Sequence, residues 1–155
     1  MKRTAQLANR LQEVLLDGTW IANTNYKEQL LKTSWQKATK KNGALNTIAE
    51  LTFHVNYYIA GVLNVLEGGS LDIKDANSFD MAPIRSQTDW EFLINTFLVN
   101  AENLIRCIAK MPEEKLEEVF EDEKYGTYQR NIDGMIEHCY YHLGQITLLN
   151  KRISL

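Results

Sequence analysis

The sequence predicts an all-α protein, a four-helix bundle with a long connection between its second and third helices. Three observations predict it. Apolar residues recur at helical spacing over four long segments, strand-like alternation is almost absent, and both prolines, Pro83 and Pro112, fall between helical patterns. The 155 residues read as one domain, residues 1–155. That length suffices to bury a hydrophobic core without disulfides or a structural metal.

The first helix is expected from Arg3 to Leu16, with Leu7, Leu11, Val14 and Leu15 on one face and Asp17-Gly18 as its stop. An irregular stretch containing Trp20 follows, then a shorter helix near Lys27–Lys37 that carries Leu30, Leu31 and Trp35. The second long helix opens on Thr47 and Glu50, a capping-box pair in which each residue satisfies a free amide of the other's backbone. Leu51, Val55, Ile59, Val62 and Leu66 continue it at helical spacing, and Gly68-Gly69 ends it. The connection from Ser70 to Arg85 is longer than adjacent antiparallel helices require, so it either crosses the bundle or covers a site. Ser86 and Asp89 cap the third helix, whose stripe runs from Trp90 through Leu93, Phe97, Ala101 and Leu104 to Ile108. The acidic run 113-EEKLEEVFEDE-123 is expected to be a solvated loop or short helix, and 124-KYGTYQRN-131 a turn or short extended piece. The fourth helix is expected from about Arg130 to Arg152, with Ile132, Cys139, Leu143 and Ile146 toward the core.

Composition narrows the function classes. An apolar fraction of 45% and a charged fraction of 24% are those of a soluble globular protein. A pI of about 5.6 gives no basic footprint and no recognition-helix motif is present, so nucleic acid is not an expected partner. Phosphate-loop, dinucleotide and EF-hand patterns are absent. The N-terminal MKRTAQLANRLQEVLL lacks the features of a signal peptide, and the most apolar stretch, 55–66, is interrupted by Asn56 and Asn64, so no membrane span is expected. Cys107 and Cys139 form no C-x-x-C pair, and each reads as a small buried hydrophobe in a reducing, cytoplasmic setting. Trp20, Trp35 and Trp90 read as packing anchors.

The chemistry is carried by the three histidines of the chain. His138 and His142 are one helical turn apart, so their imidazoles project from one face. Two histidines at this spacing are how a helix offers two nitrogens to one metal. It is not the zinc-protease motif, since Cys139 stands where that motif has its catalytic Glu. On the helical wheel this pair flanks the stripe of the fourth helix, and His54 flanks that of the second. Such a margin suits a metal site that keeps an open coordination position. Glu50, Tyr58 and Gln145 are candidates to touch the site, one turn or less from a histidine.

These segments, 50-ELTFHVNYYIAGVLNVLEGG-69 and 137-EHCYYHLGQITLL-149 with the long connection between them, resemble the DinB/YfiT-like superfamily of metalloenzymes. The resemblance implies a four-helix bundle and a tri-histidine site for a divalent metal, zinc or nickel, with His54, His138 and His142 as ligands. It also implies a homodimer, to which Tyr57, Tyr140 and Tyr141 could contribute. Relatives of this kind include bacillithiol transferases and mycothiol-dependent isomerases, so a low-molecular-weight thiol is an expected partner. The first functional reading is a metal-dependent transferase or hydrolase, with thiol-dependent S-transfer foremost. The alternatives are a non-catalytic metal- or ligand-binding bundle, serving as a sensor or interaction module, and a bundle with no metal at all. No catalytic residue, substrate or choice between zinc and nickel is legible, since imidazole suits both metals.

Overall fold

A computed structural model describes residues 1–154. Among these, helices α1 (Arg3–Gln12), α2 (Tyr26–Leu31), α3 (Trp35–Ala38), α4 (Ile48–Leu66), α5 (Gln87–Lys110) and α6 (Tyr128–Arg152) make an all-helical fold. Among the described residues there is no strand, only two isolated bridges at Asn42–Leu45 and Val119–Thr127.

Local side-chain chemistry sets most boundaries. The capping box of α4 is formed. Thr47 Oγ1 accepts from the Glu50 amide at 3.1 Å, and Glu50 Oε2 accepts from the Thr47 amide at 2.6 Å. Gly68, at φ +94°, takes the left-handed conformation just beyond the end of α4. Ser86 caps α5 by accepting from the Asp89 amide at 3.1 Å. The last helix starts earlier than its apolar stripe suggests, because Thr127 accepts from the Arg130 amide at 3.2 Å.

Three expectations are corrected. The first helix does not run regularly to Leu16. Glu13–Asp17 widen into a π-turn closed by the Gly18 amide on the Glu13 carbonyl at 3.1 Å. The helix expected over Lys27–Lys37 is two pieces, α2 and α3. Thr33 bonds back to the Gln29 carbonyl at 2.6 Å, and Ser34 starts a new helix by capping Lys37. Hydroxyl side chains here satisfy the backbone locally and break the helix. The acidic run is not wholly solvated. It holds a 3-10 turn, Glu113–Glu117, whose Leu116 is buried in the core along with Phe120. Arg3 pairs with Glu117 at 2.6 Å across this junction.

The four long helices share one hydrophobic core. Helix α5 packs against α4 and α1, and α4 also meets α6. Trp90, Phe97, Leu104 and Ile108 of α5 are fully buried, with Leu11, Val55, Ile59 and Ile146 from the other long helices. Each large apolar side chain so buried contributes about 1.5–3 kcal/mol. Trp90 also donates to the Thr33 carbonyl at 2.7 Å, tying α5 to the α2–α3 break. Trp35 packs partly against this core. Trp20 does not, being 84% exposed beside exposed Ile21. It lies in the turn before α2, where no helical register directs it inward. Helix α5 is long and apolar enough, by length and composition only, to cross a membrane. Its inner face fills this core, and Phe92 and Val99 lie on the outside.

Residues 67–86 join α4 to α5, and their middle part folds back along α4. The Tyr57 hydroxyl accepts from the Lys74 amide at 2.8 Å and donates to the Lys74 carbonyl at 3.0 Å. Gly61 permits the approach of Ile73, since a Cβ there would lie 2.7 Å from the Ile73 side chain. The segment is thereby pinned over the face of α4 that carries His54.

Candidate metal centre

Helix α4 carries His54 and helix α6 carries His138 and His142. Packing of α4 on α6 brings the three imidazoles together, with one ligand nitrogen from each lying within 4.8 Å of the others. The Nε2 atoms of His54 and His138 are 3.1 Å apart. A tetrahedral ion with metal–nitrogen bonds of about 2.0–2.1 Å spaces its ligand nitrogens by roughly 3.3 Å, so the spacing of this pair fits. The rings meet at steep angles, 66° to 86° between planes, so they converge on a point and do not stack. Among the described residues this is the one group of three or more His, Cys, Asp or Glu side chains arranged to hold a metal.

Two further features suit a cation. His142 Nδ1 donates to Gln145 Oε1 at 2.6 Å, which fixes the ring and leaves Nε2 as a lone-pair donor. His54 Nδ1 is buried and makes no hydrogen bond. If His54 Nε2 serves as a ligand, this Nδ1 carries the proton and points toward the Ser78 backbone, which favours the protonated ring.

Burial keeps the three histidines themselves uncharged. Burial, followed by the neighbouring His142 and His54, pushes His138 down to about 4. Burial and His142 lower His54 as well, against opposing effects of the Ser78 backbone and Asp75. Burial lowers His142 while its bond to Gln145 opposes the shift. All three imidazoles are therefore unprotonated near neutral pH, the form a metal requires.

The connection completes the surroundings. Phe79 stacks on His54, with ring centroids 4.2 Å apart and planes within 11°. Tyr58 sets its ring edge-on to His54 and His138 at 5.1 and 5.2 Å, and its hydroxyl donates to Asp75 Oδ1 at 2.7 Å. Tyr141 meets His142 edge-on at 4.9 Å. His54 and His142 are consequently buried, while His138 is half-buried and faces a cavity of about 590 Å³.

Of the residues expected to touch the site, Tyr58 and Gln145 do. Glu50 does not, being held by the cap of α4 and by Lys41 at 2.8 Å. Cys139 faces the core with its thiol pushed up to about 12 by burial, so it is inert; Cys107 is only partly buried. Asp75, Ser78 and Phe79 carried no sequence signal. They lie on an irregular segment without periodicity, and only its length hinted at a cover.

A family model, the DinB superfamily, matches residues 4–146. The chain belongs to the DinB superfamily. No curated protein and no solved structure matches it. Within this DinB protein the matched region contains all three histidines, the whole of α4, α6 as far as Ile146, and nearly all of the core.

Proposed function

We propose that this DinB protein is a divalent-metal-dependent enzyme in which His54, His138 and His142 hold zinc or nickel. The reaction class that fits best is S-transfer, with a low-molecular-weight thiol as nucleophile. One observation carries the reading: three unprotonated imidazoles lie together, and one of them, His138, lines a cavity of about 590 Å³. When bound, the ion would supply Lewis acidity and lower the pKa of a thiol or water within its reach. The chain's own residues supply the rest. Gln145 orients His142, Phe79 shields His54 from solvent, and the cavity beside His138 receives the small molecule. The Tyr58–Asp75 pair holds a proton between a phenol and a carboxylate next to two of the histidines.

Elemental analysis of untagged protein tests the foundation. Close to one equivalent of zinc or nickel is expected in the wild type, and a strongly reduced content in His138→Ala. Less than a few tenths of an equivalent, unchanged after incubation with Zn²⁺ or Ni²⁺, refutes it. Conjugation of an electrophile by the loaded protein, with candidate thiols supplied, tests the S-transfer reading.

A second reading, a non-catalytic metal- or ligand-binding bundle, is favoured by the chemistry of the two thiols. Cys139 is inert and Cys107 lies on a different cavity, so neither thiol of the chain faces the histidines. Turnover that is lost in His142→Ala with the fold intact would exclude this reading. We further read α1, α4, α5 and α6 as the four members of a bundle, acting as a cytoplasmic homodimer. The exposed Phe92 and Val99 on α5 and the exposed Tyr141 favour self-association, which light scattering of the eluted protein measures.

A further inference from the structure

The cavity beside His138 is polarised along α6. Arg130, Gly134 and His138 succeed one another at intervals of one helical turn, so they share one face of the helix. All three line the cavity. Gly134 contributes no side chain, and a Cβ placed on it would meet nothing closer than the Arg130 guanidinium, 3.6 Å away. The guanidinium therefore reaches from its own turn up over Gly134, toward the histidines. At 1.5 Å of rise per residue, Gly134 stands about 6 Å along the helix from His138.

Charge is distributed to match. The carboxylate lining the cavity, Asp75, sits at the histidine end, bound by Tyr58, where it complements a cation. The two cations of the lining are Lys124 and Arg130, the latter about two helical turns before His138 on α6. Among the described residues the Arg130 side chain has one partner, Glu137 at 3.3 Å, and both side chains are more than 60% exposed. Such a pair is worth little, so a ligand anion can replace or join it. The remaining guanidinium N–H groups have no protein acceptor among the described residues.

We propose that Arg130 is a specificity-determining residue that binds the carboxylate of a small organic ligand, while the other end of that ligand, about 6 Å away, faces the three histidines across Gly134. The ligand class is a short bifunctional acid with a metal-seeking donor at one end and a carboxylate at the other. The fork of donors on a guanidinium favours a planar carboxylate over a neutral oxygen. The inference rests on the metal-centre reading above, and not on the identity of the nucleophile.

The test uses Co²⁺-loaded protein and two probes, succinic monohydroxamic acid and its methyl ester, in which a methyl group removes the charge of the carboxylate. Binding is read from the visible absorption of the cobalt, with no activity required. The acid is expected to bind about tenfold more tightly than the ester, the scale of one charge-assisted hydrogen bond. In Arg130→Gln that advantage should fall to within twofold, while ester affinity and cobalt content stay at wild-type values. Arg130 is exposed, so its substitution does not endanger the fold. Equal affinity of the two probes in the wild type overturns the inference, as does an advantage that survives Arg130→Gln. Either result leaves the metal centre standing. Failure to take up cobalt overturns both readings together.

Discussion

Replacing Gln145 by Ala isolates the part of the site that only orients a ligand. Gln145 Oε1 accepts from His142 Nδ1 at 2.6 Å, and both residues sit on α6, one turn apart. Without that acceptor the His142 ring is free to exchange tautomers, and in one of them Nε2 carries the proton and cannot ligate. The loss of one hydrogen bond in a half-buried setting costs about 1 kcal/mol. The tautomer penalty adds to it, for a total of about 1.5–2.5 kcal/mol, which is roughly ten- to seventyfold in metal affinity. The fold should be untouched, because Gln145 is outside the hydrophobic core. Competition between the protein and a chromophoric chelator for Zn²⁺ gives the dissociation constant, and urea unfolding of the metal-free protein reports the fold. Gln145→Glu keeps an acceptor in place and should bind zinc at least as tightly as the wild type. If Gln145→Ala binds zinc within twofold of the wild type, Gln145 does not set the ring and the orienting role is wrong.

Three further outcomes are expected. Metal-free protein should lose stability as pH falls. His138 is lowered to about 4 from an ordinary value of 6.5, so below about 6.5 the unfolded chain binds more protons than the folded one. The contribution is complete above that pH and is lost progressively toward pH 4, and the urea midpoint of His138→Gln should vary less with pH over this window. Gly61→Ala places a Cβ 2.7 Å from the Ile73 side chain, which displaces the α4–α5 connection. Overpacking costs about 1–3 kcal/mol against a helix-propensity gain of up to about 1 kcal/mol, so a net loss of about 1 kcal/mol is expected by urea unfolding, with faster amide exchange in residues 71–79. Trp90→Phe removes the donor to the Thr33 carbonyl and part of a fully buried side chain. A loss of about 2–3 kcal/mol is expected, read as a lower melting temperature.

Much of the fold was legible because it is written locally. The capping box at Thr47 and Glu50 and the stripe from Leu51 to Leu66 are short-range signals, and α4 forms where they place it. The stripe of α5 between Trp90 and Ile108 is of the same kind. The failures are equally local in cause. Thr33 and Ser34 divert backbone groups within one turn, and apolar periodicity is blind to that diversion. Leu116 and Phe120 were hidden by their acidic neighbours, because two apolar residues in a charged run form no stripe.

By itself the sequence determined that His138 and His142 share a helical face and that His54 lies on the flank of another helix. Spacing along one helix fixes direction, and direction is all that the first statement needs. Whether His54 reaches the other two depends on how α4 crosses α6, and 84 residues separate His54 from His138. Only the packed core fixes that crossing and brings the two Nε2 atoms to 3.1 Å. The tertiary structure alone also put Phe79 over His54, Asp75 on Tyr58, and the Arg130 guanidinium above Gly134. A segment without periodicity carries no record of what it will cover until the helices beneath it have packed.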